Sequence, residues 1–445
     1  MEVRSTALSA RRRSIGLLLN RIRGQFAQVP LLGWLFGALI AVAVEYLAGS
    51  PLAQVLGLAG IPALFGFEIM LKKPLLIPSA ILYVLVVYVL PAGAVAWLSS
   101  SLANWLAAKF LSFPRWLSVV IHLGLLYAVL HLWASLNDYR LFVVRLTLIA
   151  IMLTLSLNVV NGYMGEFSCS HPGFMALGAY AASVFTVAAF VQDDVFGPPL
   201  LPPVLGPFMF PVALIVGGLV AALAALLVAI PSFRTRGDYL AIISLAFMFI
   251  VKSFIENLEI VGGPRGFMNQ PPWADLPTVF VWTVICVAIV YNFVRSTLGK
   301  ALCAIRDDET AADAMTVDTR RTKMVAFLFA AFWAGVAGGL FAHLMSYVNP
   351  GTFGVLKLSE VLAMVYLGGL NSVIGSIVGA VSLQLLMEAL RPLEVLKWII
   401  IPTLLILVMI FRPTGLIAFK ELDIEKLLKP RQKPVEEVKY AAASD

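Results

Sequence analysis

The feature that most constrains this chain is the recurrence of long apolar runs. Residues 29–49, 75–98, 117–136, 141–160, 208–230 and 324–347 each have about the 20 residues an α-helix needs to cross a ~30 Å hydrocarbon layer. Shorter or more interrupted runs occupy 52–70, 174–191, 240–254, 279–293, 355–370, 374–390 and 398–411. Inside lipid every backbone amide must be satisfied within the protein, so helices are the expected spanning elements. The sequence therefore predicts an all-α polytopic membrane protein with roughly 10–12 transmembrane or reentrant helices. Composition agrees, because only 13% of residues are charged, against ~25% in soluble domains.

The 32 Lys and Arg exceed the 25 Asp and Glu, giving a net charge of +7. The basic residues lie in short clusters between apolar runs, which is the pattern of inner-surface loops rather than of a nucleic-acid groove. Arg4, Arg11, Arg12, Arg13, Arg21 and Arg23 precede the first run. That run is long enough to be a retained span rather than a cleaved leader, with the N-terminus in the cytoplasm. Arg234 with Arg236, the stretch 295–323, and Arg412 with the Lys-rich tail are assigned to the same side. An even number of runs separates each of these clusters from the next. Upstream the runs as divided fail, since Lys109, Arg115, Arg140 and Arg145 cannot all be cytoplasmic; at least one early run is interfacial or wrongly divided. The domain reading is a basic N-terminus over 1–28, extra N-terminal helices over 29–140, a core over 141–416 and a charged tail over 417–445.

Catalytic and metal chemistry find little support. Cys169, Cys286 and Cys303 are scattered in or beside apolar stretches, and His122, His131, His171 and His343 have no neighbouring ligands at metal spacing. The phosphate-loop pattern GxxxxGK[ST] is absent, as are HExxH and GxSxG. The expectation is a chain that is not an enzyme and holds no cofactor of its own.

Two glycine-rich stretches, 162–178 and 367–379, read as reentrant or broken-helix elements, which membranes tolerate only where protein or a water-filled path covers the freed backbone. Close helix packing through glycine is the alternative reading at both. Ionisable residues at membrane depth are functional candidates because a buried charge is costly there: Glu45, Glu166, His171, Lys252, Glu256, Glu360 and Glu388. Glu166 and His171 lie in the first broken stretch. Glu45, Lys252 and Glu388, near run ends, suit snorkelling or interhelical hydrogen bonds.

The longest polar segment, 295–323, reads RSTLGKALCAIRDDETAADAMTVDTRRTK. Asp307, Asp308 and Glu309 precede small residues, predicting a short helix with acidic residues at its favourable end. Arg320, Arg321 and Lys323 anchor the next span. Small side chains there let another protein approach closely, although such a charged helix is often just a wet surface.

This segment resembles the coupling motif of ABC importer permeases: Glu309, Ala311 and Ala312 match its start, and Thr316 stands where glycine is usual. LNVVNGYMGEFSCSHPGFMALGAYAA over 157–182, RTRGDYLAI over 234–242, IVGGPRGF over 260–267, MVYLGGLNSVIGSIVGA over 364–380 and FRPTGL over 411–416 extend the match. Over roughly 145–416, in order, the chain resembles the M-type permease of the high-affinity branched-chain amino acid ABC transporter family. The resemblance implies a bacterial inner-membrane importer in which this chain pairs with a second homologous permease, two cytoplasmic ATPase subunits and a periplasmic substrate-binding protein. ATP is used only by the partner subunits, and no nucleic acid is involved. It also implies ATPase coupling through Arg306, Asp308, Glu309, Ala311, Ala312 and Met315. Path candidates are Gly165, Glu166, Ser168, His171, Gly262, Gly263, Gly368 and Gly369. GEFSCSH departs from the usual GQLSLGH, Val261 and Arg265 replace more typical residues, and Asn371 replaces a glycine. Urea or short amides therefore stand beside branched-chain amino acids as substrates, and an ion-coupled secondary transporter is a further alternative.

Overall fold

The computed structural model describes residues 26–193, 195–233, 239–412, 415–417, 423 and 428–431. The N-terminal arginines, Arg234–Asp238 of the RGDY motif, Pro413 and Thr414 of FRPTGL, and most of the charged tail lie outside them. Ten helices among the described residues are long and apolar enough to cross a membrane. The chain divides into two compact units, Met1–Leu136 with Asp423–Asp445, and Asn137–Leu422.

In the first unit, α1 (Leu31–Val55) continues through Pro51, so the predicted run at 52–70 is not a crossing. Its first residues finish α1. The rest forms a turn with Leu64 and Phe65 at positive φ and the six-residue α2 (Phe67–Lys72). A continuous apolar stretch hides such a break, because hydropathy stays high while Gly57, Gly60 and Gly66 permit the chain to turn. The next crossing, Pro74–Leu98, joins α3 (Ile77–Val84) to α4 (Leu90–Leu98) through a π-turn. Helices α5 (Ser100–Leu111) and α6 (Arg115–Ala134) complete the unit. A Cβ on Gly37 would meet the Ala92 carbonyl oxygen at 2.4 Å, so the first two crossings touch backbone to backbone there.

In the second unit, α7 (Asp138–Asn158) runs into a π-turn at Val159–Met164. In an 18-residue apolar stretch of Asp138–Met164, 83% of the residues are buried, against 17% in that of Pro74–Leu98, which makes it the axis of this unit. Helices α8 (His171–Phe190) and α9 (Gly206–Ser232) follow, then α10 (Tyr239–Glu256) and α11 (Leu276–Arg295). The short α12 (Thr297–Asp307) and α13 (Glu309–Ala314) lead into α14 (Thr319–Met345). Helices α8, α9 and α14 meet through small residues: a Cβ on Gly178 would lie 2.2 Å from the Gly335 carbonyl oxygen, and one on Gly217 would lie 2.7 Å from that of Gly178. Without a hydrophobic drive between helices in lipid, such backbone approach supplies the packing.

The remaining elements form a hairpin, α15 (Val355–Gly368) and α16 (Val373–Ala389), followed by α17 (Lys397–Phe411). At 14 residues α15 spans only about 21 Å, shorter than the hydrocarbon layer. The Tyr139 hydroxyl donates to Glu388, and the Arg391 guanidinium lies 4.7 Å from the Tyr139 ring centre. Thus α16 finishes where α7 begins. Strands β1 (Phe267–Met268) and β2 (Tyr347–Val348) pair antiparallel, tying the loop after α10 to the end of α14.

Candidate functional site

The end of α7 is where the predicted site residues converge. Gly165 takes φ +77°, and a Cβ there would lie 2.4 Å from Arg306 Cγ. Both the turn and the contact demand glycine. Beyond it residues 165–170 form no helix and the chain doubles back along α7: the Glu166 amide donates to the Val160 carbonyl (3.2 Å) and the Ser168 amide to Asn161 Oδ1 (3.2 Å). The Cys169 amide donates to Ser244 Oγ of α10 (2.9 Å). Only at His171 does α8 begin. The His171 ring interacts with the Ser156 backbone, and neither nitrogen closes a hydrogen bond of good geometry. Ser156 lies nine residues before Gly165, so α8 starts beside the body of α7 rather than beyond its end. The predicted break is therefore real, and it takes the form of a non-helical lead-in to a helix.

Arg306, at the end of α12, covers Gly165 and pairs with Asp307 (2.6 Å). Asp308 caps α13, its Oδ1 accepting from the amides of Thr310 (2.9 Å) and Ala311 (3.0 Å). The far end of α13 closes with the Val317 amide on the Ala312 carbonyl (3.1 Å) and the Thr316 amide on Asp313 (3.0 Å). That pattern places residue 316 in the left-handed region, φ +65°. Glycine is the natural residue there, and Thr316 holds the same turn with strain.

Lys323, in the first turns of α14, joins these pieces. Its ammonium lies 2.7 Å from Glu166 and 2.9 Å from Glu309, and its side chain is only 8% exposed. Two carboxylates around one buried ammonium compensate its lost hydration. From the sequence alone Lys323 reads only as an anchor of the span at the membrane surface. Ala312 packs inward, whereas Ala311 and Ala314 are exposed and Met315 is 77% exposed. Thus Arg306, Asp308, Glu309 and Ala312 hold the segment in place, while Ala311 and Met315 form its outward surface.

Gly368 and Gly369 open the turn between α15 and α16, against Gly375, Gly379 and Gly415, and it is the residues after them that reach α7. Asn158 Nδ2 donates to Ser376 Oγ (2.6 Å) and the Ser372 carbonyl (3.2 Å), and its Oδ1 accepts from the Asn371 amide (3.3 Å). Gly369 has φ +121° and Asn371 φ +59°, so the asparagine replacing a glycine at 371 keeps the left-handed turn that asparagine tolerates. Asn158, one of several polar residues inside the apolar run 141–160, carries no signal of this role in the sequence. Gly262 and Gly263, with φ +81° and +50°, form a turn at the opposite end, where the Tyr347 hydroxyl donates to the Arg265 carbonyl (2.8 Å). They do not join the other candidates.

A profile of the family described as "Branched-chain amino acid transport system / permease component" matches residues 139–410. The chain belongs to this permease family. It is 32% identical over 310 residues to the high-affinity branched-chain amino acid transport system permease protein LivM of Escherichia coli K12, covering 62% of this chain and 69% of that relative. BraD of Pseudomonas aeruginosa, a permease protein of the same transport class, is 28% identical over 148 residues, 33% of this chain and 48% of BraD. The autoinducer 2 import system permease protein LsrC of Photorhabdus luminescens is 26% identical over 137 residues, 29% of this chain and 41% of LsrC. No solved structure matches. This family member is a multi-pass membrane permease subunit, and the family region coincides with the second unit.

Proposed function

We propose that this permease subunit imports branched-chain amino acids across the bacterial inner membrane, driven by ATPase subunits that dock on residues 295–323. The observation that carries the reading is the Glu166–Lys323–Glu309 cluster, which ties the outward-facing helix α13 to the break before α8. A push on α13 reaches the break through an ion pair and through Arg306 against Gly165, with no intervening flexible loop. A second homologous permease completes the path, two ATPases supply the work and a periplasmic binding protein delivers substrate. In this orientation residues 295–323, the N-terminus and the C-terminus face the cytoplasm. Removing the predicted run at 52–70 reconciles the basic clusters: Lys109 and Arg115 then share the side of Arg295 and Lys323. Arg140 and Arg145 fall on the opposite side, where Arg145 donates to the Ala274 carbonyl (3.3 Å) and Arg140 is buried.

The test is leucine uptake into proteoliposomes holding this chain, its permease partner and ATPases, with binding protein outside. Uptake that needs ATP and both ATPases is expected. Uptake without ATPases, or abolished by a protonophore at constant ATP, points to a secondary transporter. Competition by urea or short amides, with leucine ineffective, moves the substrate to the amide class.

A further inference from the structure

We infer that Lys357 and Glu360 of α15 form the point at which the transport path reads the charged ends of an amino-acid substrate. The inference rests on the reading of this chain as an amino-acid permease and deepens it. The two side chains face a cavity of ≈ 10 Å³, about the space of one water molecule, among α7, α8, α14 and α15. Its other walls are apolar or aromatic, including Ile149, Leu153, Met175, Phe341 and Met364. Leu146, Ile149, Ala150 and Leu153 lie around the middle of the 27-residue Asp138–Met164 crossing, so the cavity sits near mid-membrane, where transporters place substrate.

The pair has features that a purely structural ion pair does not require. Lys357 Nζ lies 3.0 Å from Glu360 Oε2, with side chains 13% and 11% exposed. Lys357 is the third residue of α15, where the helix dipole disfavours a cation and favours an anion. Such a local conflict is characteristic of functional positions. The same ammonium lies 5.7 Å from the Phe341 ring centre, against its electron-rich face. A zwitterion resolves the arrangement: its carboxylate meets Lys357 and the amino end of α15, its ammonium meets Glu360, and its aliphatic side chain meets the apolar wall. One ion pair becomes two, so no charge is stranded at any stage. In this conformation the pair is closed on itself and the cavity is too small for leucine, which is the state expected of a path shut between substrates. An uncharged amide offers no such exchange, so the pair selects α-amino acids with apolar side chains over urea or amides.

The test uses the complete reconstituted assembly with leucine as the probe. The double variant K357M/E360Q leaves no stranded charge, and its copurification with the ATPases reports folding. Leucine uptake is expected to fall at least tenfold with assembly retained. The swapped variant K357E/E360K restores an ion pair but reverses its order along the helix dipole. It is expected to regain the thermal stability of the wild type and not its uptake. Uptake by K357M/E360Q within twofold of wild type overturns the inference, as does full recovery of uptake in the swapped variant, which a structural pair would give. Wild-type assembly that takes up no leucine overturns the functional reading and this inference with it.

Discussion

The Glu166 carboxylate lies 2.7 Å from the Lys323 ammonium, across 157 residues of sequence, and holds the break before α8 against the start of α14. Glu309 approaches the same ammonium from α13 at 2.9 Å. The Lys323→Met variant leaves Glu166 beside an apolar side chain. With Glu166 25% and Glu309 50% exposed, water offsets part of the loss, so a destabilisation of about 1–3 kcal/mol is expected. A double-mutant cycle of Lys323→Met with Glu166→Gln, read by thermal unfolding in detergent, should show coupling of about 1 kcal/mol or more. Additive effects would mean that the pair does not act as a unit.

Gly165→Ala forces a Cβ into the left-handed region and against Arg306. The backbone cost alone is about 1–2 kcal/mol, and the 2.4 Å approach to Arg306 Cγ adds to it. Arg306→Ala removes that Cγ, so the double variant should recover the steric part and keep the backbone part. Expression and thermal stability of the three variants measure the split. No recovery at all would place the contact elsewhere.

Much of this was legible in sequence. Apolar runs located nearly every crossing of the second unit, the glycines of 162–178 announced the break, and the acidic cluster before Ala311 announced α13. The rest depended on partners distant in sequence. Nothing local to Lys323 announces Glu166, and nothing local to Asn158 announces the turn at 371 that it supports. The run at 52–70 misled for a different reason: hydropathy marks what can lie in lipid, and Pro51 inside α1 does not end that helix.

Thr316→Gly relieves a β-branched residue at φ +65°. The gain should be about 1 kcal/mol after the larger chain entropy of glycine in the unfolded state is subtracted. A raised unfolding temperature with normal uptake is the expected pair of results; a lowered one would show that Thr316 makes a compensating interaction.

Asn158→Leu removes the bonds to Ser376, Ser372 and the Asn371 amide. A loss of about 2–3 kcal/mol is expected from the polar groups left unpaired. Protease sensitivity at 369–372 should rise with it. Unchanged protection there would separate the hairpin turn from α7.

The most direct test of the central claim is leucine uptake and ATP hydrolysis measured together in proteoliposomes of the full assembly, comparing wild type with Glu166→Gln. If the ion pair carries ATPase motion to the break before α8, leucine moved per ATP falls at least tenfold while hydrolysis continues. An unchanged ratio would contradict the account, because the cluster would then join α13 to the break without transmitting work.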